Sequence, residues 1–78
     1  MNKILLNKTN ICIIEGDTEI QCYSYNTLVG IYSKIMNNYK LMDYYILHGE
    51  TKKMSVTSRK HQNLFRKEYI PKNAIEIK

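Results

Sequence analysis

The chain has 78 residues, with 12 Lys and Arg against 7 Asp and Glu, a formal charge of +5. A chain this short makes one domain, residues 1–78, with a modest buried fraction, which argues against a large substrate cleft. No apolar run approaches the ~20 residues that span a bilayer, and MNKILLNKTN lacks the apolar region and small-residue cleavage site of a signal peptide, so the expectation is a cytoplasmic protein with no membrane partner.

The charge is unevenly spread. Residues 1–33 hold two bases against Glu15, Asp17 and Glu19, whereas the remaining 45 carry ten bases and four acids. No acid interrupts Lys52, Lys53, Arg59, Lys60, Arg66 and Lys67. A one-signed stretch of this kind suits an anionic partner or an acidic protein surface, and equally a solvated face that keeps the chain soluble. Lys, Asn, Ile and Tyr fill 36 of the 78 positions, the bias of an AT-rich coding sequence.

In chain order, residues 3–6, 11–15, 19–25, 28–36, 39–47 and 53–57 are rich in β-branched and aromatic residues, separated by the turn chemistries NKTN, GD, NT, NN and HGETK. This predicts an antiparallel meander of five or six strands over about residues 3–57. If Gly16-Asp17 is a two-residue turn, Ile13 faces Ile20, Ile11 faces Cys22, and Cys12 points to the other side of the sheet, which excludes a disulfide. A one-residue slip would bring Cys12 and Cys22 together, but in a reducing compartment both are expected as free thiols.

With tight turns throughout, one face collects Ile4, Leu6, Ile11, Ile13, Ile20, Cys22, Val29, Ile31, Ile35, Met42, Tyr44, Ile46, Met54 and Val56, a core face. The other is rich in tyrosine, including Tyr23, Tyr25, Tyr32 and Tyr45. It is either a recognition platform or a face partly closed by sheet curl.

TSRKHQNLFRKEY, residues 57–69, is the one segment whose apolar and basic residues both recur at helical spacing. His61, Leu64, Phe65 and Tyr69 gather on one side, and Arg59, Lys60, Asn63, Arg66 and Lys67 opposite. The sequence therefore predicts an α+β fold in which a C-terminal amphipathic helix over about 58–69 packs on one sheet face. Thr57 or Ser58 is the expected N-cap, but Arg59 and Lys60 place cations in a first turn that favours anions. Asp43 or Glu50 from the sheet, or an external phosphate or carboxylate, would neutralise them. Pro71 ends the helix, and the extension 70–78, with Ile75 and Ile77 alternating, reads as a short edge strand.

No Ser/His/Asp or Cys/His arrangement, carboxylate pair, clustered metal ligands or Gly-rich cradle is specified by spacing. The expectation is a non-catalytic protein without metal or cofactor, with His61 a satisfied, partly buried imidazole.

YSYNTLVGIY at 23–32, followed by SVTSRKHQNLF at 55–65, resembles a group of short uncharacterised proteins carried by bacteriophages and other mobile elements of AT-rich bacteria; Tyr23, Tyr25, Thr27, Thr57, Lys60, His61, Asn63 and Phe65 carry the likeness. The resemblance implies a phage-type origin, a sheet-then-helix fold and a bacterial host cytoplasm, with no assigned activity to transfer. Three functions remain open: an anti-CRISPR-like inhibitor of a bacterial defence system that binds a host or defence protein stoichiometrically, a sequence-independent nucleic-acid binder, and a structural or accessory phage protein that oligomerises through its sheet. Arg59, Lys60, Asn63, Arg66 and Lys67 are the first candidate contact surface, and Tyr23, Tyr25 and Tyr32 the second.

Overall fold

The alternation of Ile11, Ile13, Ile20 and Cys22 decides which side of the first strands is buried, and all four lie in the core of the computed structural model, which describes residues 2–77. The elements are β1 (Lys3–Lys8), β2 (Ile11–Glu15), β3 (Glu19–Ser24), β4 (Thr27–Ser33), β5 (Asn38–Leu41), β6 (Tyr44–Leu47), β7 (Glu50–Lys53), α1 (Val56–Tyr69) and β8 (Ile75–Glu76). A six-stranded sheet in the order β1-β2-β3-β4-β5-β8 carries α1 on one face, and β6 and β7 form a separate hairpin. The fold is thus α+β, antiparallel except where β8 joins β5 in parallel as an edge strand.

The β2–β3 turn is two residues longer than the two-residue turn expected at Gly16-Asp17. Glu15 pairs with Ile20, and Gly16 N donates to Glu19 O at 2.8 Å. A shift of two residues preserves the faces, so Cys12 still points away from Cys22 and both thiols are free. Burial, with Cys12 nearby as a lesser cause, pushes the Cys22 thiol up to about 12.

Two bulges account for most of the departures from the expected core. Leu5 is an extra residue between the pairs Ile4–Ile14 and Leu6–Ile13, which leaves Leu6 with the core and turns Ile4 out. Val29 is an extra residue between the pairs Tyr23–Leu28 and Cys22–Gly30, and the rest of β4 turns over with it. Gly30 and Tyr32 therefore join the buried face in place of Ile31, and their partners Leu41 and Tyr39 follow them inward. Ile35 is left exposed in the turn before β5.

The expected strand 39–47 is broken at Met42-Asp43, and the expected strand 53–57 is absent. Met42 N donates back to Val29 O at 2.9 Å, after which the chain leaves the sheet for the β6–β7 hairpin, whose His48-Gly49 turn has φ of 51° and 77°. On that projecting hairpin Tyr44 and Ile46 are exposed, Ile46 at 76%. Met54 is buried, Ser55 caps the helix and Val56 opens it on the solvent side.

The helix starts two residues before the expected 58 because Ser55, rather than Thr57 or Ser58, is the N-cap: its hydroxyl accepts from Ser58 N at 3.1 Å. Its buried line is Ser58, Gln62 and Phe65, rotated by roughly 50° from the line through His61, Leu64, Phe65 and Tyr69. Phe65 meets β4 at Gly30, where an added Cβ would stand 2.9 Å from Phe65 Cδ2 and 3.1 Å from Leu41 Cδ2. Gly30→Ala is expected to lower stability by about 1–3 kcal/mol through overpacking, read from the urea midpoint. An unchanged midpoint would mean that the ring and the strand separate freely.

Candidate partner-binding surface

The two segments 23–32 and 55–65 meet where α1 begins. Ser24, buried on β3, lies 3.0 Å from Ser58 Oγ and 2.7 Å from His61 Nδ1, and Ser55 Oγ donates to Ser58 Oγ at 3.2 Å. Each hydroxyl has one proton, so a chain running Ser55 to Ser58 to Ser24 to His61 satisfies every member when Nδ1 is unprotonated. Burial disfavours the imidazolium and holds the His61 pKa below its usual value, which fits the neutral ring this chain needs. The Tyr25 ring sits 6.1 Å from the imidazole, tilted by 41°. Ser24 and His61 have the spacing of a nucleophile and base, but Ser24 is only 1% exposed, and among the described residues no carboxylate bonds the imidazole. The cluster ties the helix to the sheet. A cleft of about 230 Å³ opens beside it under the hairpin, between Tyr25, Val29, Tyr45, Leu47 and Met54.

Further along the buried line, Gln62 Nε2 donates to Val29 O at 2.9 Å and to Met42 O at 2.6 Å, the carbonyls left at the bulge and at the end of β5. With the serine chain and Phe65, this fixes the rotation of α1 and hence which residues it turns outward.

Those residues are Arg59, Lys60, Asn63, Arg66 and Lys67, all exposed. Among the described residues no carboxylate pairs with any of the four bases. Glu50, one expected partner for Arg59 and Lys60, instead bonds Lys52 along the hairpin at 3.1 Å. Glu15 is held by Lys34 at 2.6 Å across the sheet, where the hydrogen bond and charge of Lys34 pull its carboxyl below the usual range. The outer face of α1 is therefore a cationic strip without counter-ions among the described residues.

The three tyrosines do not form one surface. Tyr32 is a core residue, 7% exposed, with its hydroxyl donating to Asn37 Oδ1 at 2.8 Å. Tyr23 is half-buried on the sheet face away from the helix, donating to Gln21 Oε1 at 2.8 Å. Tyr25 occupies the β3–β4 turn at φ 51° and is exposed beside His61, so of the three it alone offers an exposed ring next to the helix. Ser24, Ser55 and Gln62 escaped the sequence reading, and Ser58, read as a possible cap, is instead a buried link to the sheet. The spacing of residues 58, 62, 65 and 69 is as helical as the apolar line, and only its polar members hid it.

Among the described residues no group of three or more His, Cys, Asp or Glu could hold a metal, and no helix is long and apolar enough to cross a membrane. Compared with known proteins, the chain matches no family model, no curated protein and no solved structure.

Proposed function

We propose that this is a small, non-catalytic, phage-type protein that acts by stoichiometric binding, as an inhibitor of a bacterial defence complex that itself handles nucleic acid. The observation that carries the reading is the outer face of α1, where Arg59, Lys60, Arg66 and Lys67 are exposed without acidic partners among the described residues. An anionic partner would gain their attraction without first breaking internal ion pairs. The resemblance to mobile-element proteins supplies the class of partner. Asn63 adds an amide to the strip.

Capture from host lysate, with and without nuclease, tests this. The expected result is a partner protein retained after nuclease, in a complex of fixed stoichiometry. Replacing Arg59, Lys60, Arg66 and Lys67 together with Ala is expected to weaken that complex by between about 4-fold and several hundredfold, from ~0.2–1 kcal/mol for each exposed charge lost. Loss of every partner on nuclease treatment counts against the inhibitor reading.

A second reading, direct sequence-independent binding of nucleic acid, is favoured by the single sign of the strip, which suits an evenly charged polymer. Tight gel shifts on single- or double-stranded probes, with no protein partner recovered, would leave this reading standing alone.

A further inference from the structure

At the C-terminal end of α1 a groove of about 380 Å³ opens between the helix, the loop that follows it and β5. The chain builds it in two steps. Pro71 stops the helix and Ala74 N donates to Pro71 O at 3.1 Å, turning the backbone back. Ile75 N then donates to Asn37 O at 3.1 Å and Ile77 N to Tyr39 O at 2.7 Å, pinning the returning strand beside β5. Asn63, Arg66 and Lys67 of the helix line the groove together with Lys72 of the pinned loop. Tyr39 and Ile70, both buried, lend it an apolar floor.

We propose that this groove is a phosphate-binding site for the backbone of single-stranded nucleic acid, the sugar and base lying against the apolar floor. The inference rests on the second reading above, direct contact between nucleic acid and α1. Arg66, Lys67 and Lys72 are three cations brought to one concavity from two elements, with no acid in its lining. The partial negative charge of a helix C-terminus, roughly half an elementary charge, offsets only a fraction of them. The remainder is positive potential that an anion entering the groove relieves. Arg66 supplies a planar fork that can bond two phosphate oxygens at once, and the lysines are point charges beside it. Arg59 and Lys60 continue the positive strip toward the start of the helix, which fits a repeating anion better than a single carboxylate. The apolar floor is of use only to a strand whose bases are unstacked, so the site favours single strands over duplex.

Fluorescence anisotropy of a labelled thymidine dodecamer, titrated with the full chain at low salt, tests the proposal. Five cations predict weak binding, with a dissociation constant of about 1–100 µM at physiological salt that tightens as salt is lowered, at a log–log slope near −3.5, from roughly 0.7 per cation on a single strand. Lys72→Glu is expected to weaken binding about 10-fold or more and to flatten the slope. Lys40→Glu makes the same charge change on an exposed residue of the opposite sheet face, and is expected to cost less than about 2-fold. Lys72→Gln should fall between the two, and circular-dichroism melts verify that all three variants fold. Equal losses from Lys72→Glu and Lys40→Glu would overturn the groove and leave only bulk charge. So would displacement of the oligonucleotide by poly-glutamate as readily as by unlabelled strand, which would point to an acidic protein segment. If Arg59→Glu abolishes binding while Lys72→Glu does not, the groove fails and the helix-face reading survives. No binding at low salt, with a protein partner still captured from lysate, overturns the groove and direct contact together and leaves the inhibitor reading.

Discussion

Phe65→Ala is expected to lower stability by about 3–5 kcal/mol, whereas its neighbour Leu64→Ala shifts it by less than ~1 kcal/mol. The ring of Phe65 is 0% exposed and lies within van der Waals reach of Gly30 and Leu41, so its removal opens a cavity that β4 can close only by moving backbone. Leu64 is 37% exposed on the flank of the same helix, and water already reaches the place its side chain would vacate. For a domain of this length, with a total stability of about 5–15 kcal/mol at most, the first change removes a large fraction of the total stability. Urea unfolding of the two variants separates them. Equal shifts in midpoint would mean that α1 packs on the line through His61 and Leu64 after all.

That contrast marks where the sequence was legible and where it was not. Strand alternation in residues 11–15 and 19–24 placed Ile11, Ile13, Ile20 and Cys22 correctly even though the turn length was wrong, because an error of two residues leaves every side chain on its own face. An error of one does not. The bulges at Leu5 and Val29 are single-residue insertions, the first with no glycine or turn residue beside it and the second marked only by Gly30, and each reverses everything beyond it, which is how Ile4 and Ile31 left the core and Tyr32 and Tyr39 entered it. Nor did local composition give away the break at Met42-Asp43, since residues 39–47 read as one strand in isolation. Met42 N still bonds Val29 O in register with the β4–β5 pairing, but the Met42 carbonyl is taken by Gln62 of the helix, a partner that no local composition discloses.

Of the candidate surface, the outward residues of α1 were readable because charge at helical spacing needs no tertiary information to find solvent. The inward ones were misread through treating hydropathy as the marker of burial. Ser58 and Gln62 are buried because β3 and the bulged β4 offer them partners, and those partners lie more than 30 residues away in sequence. Lys72 joins Arg66 and Lys67 for a similar reason: β8 pins the loop next to β5, a parallel pairing that two residues of alternation do not disclose.

Gln62→Leu is expected to cost about 2–4 kcal/mol despite preserving size and raising hydrophobicity. Gln62 Nε2 serves two carbonyls of unequal need. Val29 O also accepts from Met42 N, so loss of the amide leaves it one partner, a change of about 0.5–1.5 kcal/mol. Met42 O lies beyond the end of β5 and is bonded by Gln62 at 2.6 Å, so the leucine leaves it facing an apolar side chain, at about 1–3 kcal/mol. The gain from burying a leucine is small here, because a side chain of similar size already fills the space. The damage should be local before it is global: with Val29 O and Met42 O no longer joined through Gln62, the amide of Met42 should exchange with deuterium faster than the amides of β2 and β3. Urea unfolding gives the magnitude and hydrogen exchange the location. A variant with an unchanged midpoint and an unchanged Met42 amide would show that the two carbonyls are satisfied without Gln62, and that Phe65 and the serine chain alone set the rotation of α1.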